Sequence, residues 1–139
     1  MPKLLIFAPC DNVLINKDAE SASLIVILSG VKFAAPPAPL PEKTMVPMRW
    51  FIFCQWLIAP EEIGVVFEQR VRFGEGLQFF DQTTEFRSDP GKYHQRVAVG
   101  IFGFPLVNKG VHNVYVDLRI KGNADWEQIQ SYPLEVEHL

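Results

Sequence analysis

Four stretches of the chain alternate apolar and polar residues with a period of two, and each is closed by a turn signal. Alternation of this kind sends successive side chains to opposite sides of a strand, so it commits the chain to half-buried sheets. The clearest stretch runs from Val65 to Phe73, with Val65, Phe67, Val71 and Phe73 on one face and Glu68, Arg70 and Arg72 on the other. From Val111 to Ile120, Val114, Val116, Leu118 and Ile120 face inward against Asn113, Asp117 and Arg119. Tyr93 to Phe102 sets Tyr93, Val97, Val99 and Ile101 on one side, and a last strand sets Trp126, Tyr132, Leu134 and Val136 against Glu127, Glu135 and Glu137.

The remaining segments fit the same plan. A first strand is predicted over Lys3 to Ala8, interrupted by Pro9, Asp11 and Asn12 and resumed at Val13 to Ile15 as a bulged or turned edge. Ser21 to Phe33 contains the apolar run Leu24 to Leu28, which would cover both faces of a strand, with a short helix as the alternative. Ala34 to Pro47 carries Pro36, Pro37, Pro39, Pro41 and Pro47, which keep it out of a central ladder and predict an extended crossover. Arg49 to Ile58 is apolar on both faces, with Trp50, Ile52, Cys54, Trp56 and Ile58 opposed to Phe51, Phe53 and Leu57. Asp89, Pro90 and Gly91 have the chemistry of a type II turn, and Gly74 to Gly76, Asn108 to Gly110 and Gly122 to Asp125 supply further reversals. The whole predicts an all-β fold, a two-sheet antiparallel β-sandwich of immunoglobulin-like or jelly-roll-like type. About eight strands over residues 1–139 would form a single domain.

A net charge of −3 attracts neither nucleic acid nor an anionic membrane, and no apolar run approaches the roughly 20 residues of a spanning helix. Leu4 to Ala8 is too short for a secretory apolar segment, and Cys10 reads as a small buried residue rather than a lipid-attachment site. Two cysteines without CxxC or CxxH spacing form neither a metal knuckle nor a disulfide framework, which predicts a cytoplasmic protein with free thiols.

Chemistry-bearing groups are scattered. His94 near Asp89 could form a carboxylate-oriented general base of a hydrolase, yet no serine or cysteine is spaced as its nucleophile partner. His112 reads as a satisfied histidine at the core edge, and His138 beside the chain end is given no role. Asp11, Asp18, Glu20, Asp81, Asp89 and Asp125 are dispersed singly, unlike the ligands of a calcium site. No phosphate-loop, dinucleotide or zinc motif occurs, so no cofactor, metal or catalytic residue is assigned. Trp126 and Tyr132, flanked by Glu127, Gln128 and Gln130, are candidates for a carbohydrate platform.

The strand Ser23-Leu24-Ile25-Val26-Ile27-Leu28-Ser29-Gly30-Val31 and the segment Phe104-Pro105-Leu106-Val107-Asn108-Lys109-Gly110-Val111-His112-Asn113-Val114-Tyr115-Val116 resemble a family of small uncharacterised bacterial β-sandwich proteins. The resemblance implies a β-sandwich and carries over no catalytic residue. Two strands with apolar residues on both faces need a second cover, either the proline-rich crossover or another copy of the chain. The leading expectation is a non-enzymatic subunit that self-associates, as a dimer or with a protein partner, through Trp50, Phe51, Phe53 and Trp56.

Overall fold

A computed structural model describes residues 1–16, 21–34, 45–74 and 79–139. Its nine strands are β1 (Lys3–Asn16), β2 (Ser21–Ile27), β3 (Gly30–Phe33), β4 (Met45–Leu57), β5 (Phe67–Phe73), β6 (Phe80–Phe86), β7 (His94–Pro105), β8 (Gly110–Ile120) and β9 (Glu127–His138). They form a four-stranded sheet A in the order β2-β1-β4-β7 and a five-stranded, curled sheet B in the order β3-β9-β8-β5-β6.

The count exceeds eight because the segment from Ser21 to Phe33 is two strands, one in each sheet. Sheet B is also not wholly antiparallel, since β3 runs parallel to β9 with Gly30 opposite Glu135. A side chain cannot fit there: a Cβ on Gly30 would lie 2.6 Å from the Glu135 carbonyl oxygen. Of the predicted crossover, residues 35–44 lie outside the described residues, while Met45 to Pro47 open β4. Pro47 is tolerated inside a central strand because it falls at a register shift between Val46 and Arg49, where no ladder donor is required.

Between the sheets lies the core. Trp50, Phe73 and Phe104 pack at one end with centroids 5.3–6.3 Å apart, and Trp56, Phe67 and Phe86 stack at the other. Each such ring contributes roughly 1.5–3 kcal/mol by leaving water. Asp89 to Lys92 forms the predicted type II turn, with Gly91 at φ +82° and the Lys92 amide donating to the Asp89 carbonyl.

Part of the outer face of sheet A, around Ala8, Cys10 and Phe53, is covered from within. Beyond Cys10, β1 leaves β4 and continues paired with β2. Cys10 is level with Phe51, whereas His94 is level with Leu57 at the opposite end of β4. A straight continuation would carry Asn16 away from His94 by about 3.3 Å per residue. Yet Ile15 and Asn16 line one cleft with Asp89 and His94, so the β1–β2 hairpin folds back as an arm across sheet A. Ala8, Cys10 and Phe53 are buried apart from the main core and belong to this second layer. Val13 and Leu24, opposite each other on the arm, are half-buried, while Leu14, Ile25 and Ile27 on its other side are exposed. Val26 is level with Asp11 at the bend and adopts φ +54°, a strained conformation for a β-branched residue.

Candidate functional site

Three surfaces are candidates, and each begins from a strand's pleat. On the outer side of sheet B, Arg70 and Arg72 project from β5 opposite Asp117 and Tyr115 of β8. Asp117 is buried and accepts from Arg70 Nε at 2.9 Å and Arg72 Nε at 2.8 Å, so its charge is compensated on both sides. Arg72 also donates to Gln128 Oε1 at 2.8 Å and lies over Tyr115, and Arg119 pairs with Glu68 at 3.0 Å. Trp126 meets the guanidiniums of Arg70 and Arg119 at 4.5 and 4.1 Å. This is a saturated cation–π and ion-pair lattice whose groups already hold one another.

Tyr132 is elsewhere. It stands opposite the buried Val114 on the inner side of β9 and packs edge-on against Phe7 at 6.4 Å. Ile129 is the extra residue of a bulge at Val116/Asp117, and this bulge breaks the alternation that placed Trp126 and Tyr132 on one face. The two expected platform residues therefore do not form one surface.

The second candidate is a cleft of about 770 Å³ between the arm's end and the start of β7, lined by Ile15, Asn16, Asp89, Gly91, Lys92 and Tyr93 to Arg96. His94 and Arg96 share the outer side of sheet A, because they stand opposite Leu57 and Gln55. The Gln55 side-chain nitrogen lies 3.0 Å from His94 Nδ1. An amide nitrogen only donates, so Nδ1 accepts and the neutral ring carries its proton on Nε2. A general base needs the opposite arrangement, with a carboxylate on Nδ1–H and a free lone pair on Nε2. No hydrogen bond joins His94 to Asp89 among the described residues.

The third is the arm's exposed side, where Leu14 is 55% exposed, Ile25 38% and Ile27 54%. The residues expected to form an apolar interface lie mostly inside. Trp50 and Trp56 face sheet B and are inaccessible, because the even-numbered side of β4 is the core side. Phe53 is buried in the layer beneath the arm, and Phe51 alone is half-exposed, beside Gly100 and under Arg49. The predicted buried run at Leu24 to Leu28 is likewise corrected: Ile25, Val26 and Ile27 lie in an edge strand and are exposed.

The other histidines are held by contacts within the fold, and both thiols are buried. His112 Nε2 donates to the Asn108 carbonyl at 2.7 Å and packs on Phe73 and Phe79. His138, beside the chain end, is tied by the β3–β9 pairing, by its Nε2 to the Val107 carbonyl at 3.0 Å, and by Phe33. Cys10 and Cys54 are free and buried on opposite sides of sheet A, and desolvation raises both thiols, Cys10 to about 11 with help from Asp11. Among the described residues no group of histidine, cysteine and carboxylate side chains is gathered as a metal site, and no helix is long and apolar enough to cross a membrane. In comparisons with known proteins, no family model and no curated protein matches the chain.

Proposed function

We propose that the protein is a non-enzymatic, cytoplasmic interaction or structural subunit that self-associates through the β1–β2 arm. The observation that carries this reading is the composition of the sheet edges. Both sheets end in edge strands, and β3 carries Lys32, β6 carries Asp81 and Glu85, and β7 carries His94 and Arg96. β2 is the edge without an ionisable side chain, and it exposes Ile25, Val26 and Ile27 in succession. Charges on an edge oppose strand addition, so β2 is the edge least defended against pairing.

The occupant is a second copy of the chain. Two β2 strands related by a two-fold axis would pair antiparallel and join two sheets A into one, with no like charges opposed along the strand. Leu14, Ile25 and Ile27, on one side of the arm, would then leave water together. The strained Val26 supports the same location, since strain of this kind collects where a segment has work beyond folding. Free buried cysteines accord with a reducing compartment.

Sedimentation velocity on Ile25→Lys and Phe102→Lys beside the wild type tests the surface. The wild-type mass is expected at twice the chain's 15.8 kDa, unchanged by Phe102→Lys on the far edge and halved by Ile25→Lys. A monomeric wild type, or a dimer indifferent to Ile25→Lys, overturns the reading.

A further inference from the structure

We propose that the cleft between the arm's end and the start of β7 binds a small ligand through a phosphate or carboxylate group, with Arg96 and His94 as its anchors. This protein has other half-buried arginines, and all of them are paired. Arg70, Arg72 and Arg119 are each committed to a carboxylate and an aromatic ring on sheet B. Arg96 is also half-buried, yet its Nε is sealed from solvent without an acceptor, and no ion pair or aromatic ring among the described residues engages it. A half-buried guanidinium that lines a cleft and has no carboxylate partner keeps its two terminal nitrogens for an oxyanion, which they grip bidentately.

His94, which lines the same cleft, adds a second donor. It stands two residues before Arg96 on the same side of β7, and Gln55 fixes its Nδ1 as acceptor. Its Nε2 therefore carries a proton in the neutral ring as well as in the charged one, so it donates to an anion in either state. Gln55 acts as the positioning residue, since it stands opposite Arg96 and holds His94. The cleft is of small-ligand size, within the roughly 300–1,000 Å³ usual for such sites. Asn16 and Asp89 also line the cleft, whereas the Gln95 side chain stands with Trp56 on the core side of the sheet. Because Ile15 and Asn16 belong to the arm, the ligand would touch both the arm and the sheet beneath it.

Isothermal titration calorimetry with inorganic phosphate and, separately, with citrate tests the site at constant ionic strength set by chloride. The wild type is expected to give saturable binding to at least one of the two, and the stronger tells a phosphate from a carboxylate ligand. Arg96→Gln is expected to weaken it by at least about tenfold, the scale of a lost charge-assisted pair. Arg96→Lys should fall between, and Arg49→Gln, whose arginine lies over Phe51 and Phe102, should bind as the wild type does. Amide chemical-shift mapping on the wild type needs no variant to fold, and shifts confined to residues 92–96 and Asn16 are expected. No saturable binding to either ion, equal binding by Arg96→Gln, or shifts spread over the surface overturns the proposal.

Discussion

Burying two indoles obliges the fold to find an acceptor for each N–H, and the two solutions differ in kind. Trp50 Nε1 donates to the Gly103 carbonyl at 2.9 Å, where φ of +105° turns the β7 backbone. Trp56 Nε1 donates to Gln69 Oε1 at 2.8 Å, across the core from β4 to β5. Gln69 is inaccessible, and its side-chain nitrogen has no partner among the described residues. Strand parity at Val65 to Phe73 already places position 69 with Phe67 and Val71, but a glutamine's polarity argues for solvent, and only the partner indole resolves the conflict. Gln69→Ala removes the acceptor and leaves a cavity, so it is expected to lower unfolding free energy by about 2–4 kcal/mol in urea titration. The same substitution at Gln130, which is exposed and makes no side-chain hydrogen bond among the described residues, should change stability by less than about 0.5 kcal/mol.

The arm is the element whose placement the sequence conceals. Pro9, Asp11 and Asn12 mark an interruption in β1, but local signals cannot say whether the chain stops, bulges or reverses across its own sheet. The half-buried alternation of β5 and β8 was legible because one face meets the core and the other meets water. In β4 and β2 the rule fails from opposite causes: Phe53 on the outer face of β4 is buried beneath the arm, and β2 is apolar yet exposed. Cys10 reports on this layer, since it is buried opposite Phe51 and Ile27 at the bend. Its thiol is raised from 9.0 to about 11, so between those values the folded chain holds a proton that the unfolded chain has released. Stability from this group is thus fully present below about pH 9 and declines as pH rises toward 11, by on the order of 2 kcal/mol. Urea titrations at pH 7 and 10 should show a larger alkaline loss for the wild type than for Cys10→Ala; equal losses would mean the arm does not seal Cys10.

For the whole molecule, local sequence specifies strands and turns, while the assignment of strands to sheets depends on contacts far apart in the chain. Gly30 bounds the apolar run within Ser21 to Phe33, but a Ser-Gly turn signal does not announce that the chain changes sheets. The parallel β3–β9 pair needs the end of the chain to be in place before it can form. The candidate site is partly legible in the sequence: His94 and Asp89 stand out as titratable neighbours, but Arg96 and Asn16 gain meaning only once the arm folds back to meet β7. The same arm leaves β2 as an uncharged edge, and pairing of that edge with its copy is the central claim. Hydrogen–deuterium exchange of the Ser21–Ile27 amides at two protein concentrations tests it most directly. Edge pairing predicts protection of the outward-facing amides that strengthens as concentration rises, whereas rapid exchange at every concentration would contradict it.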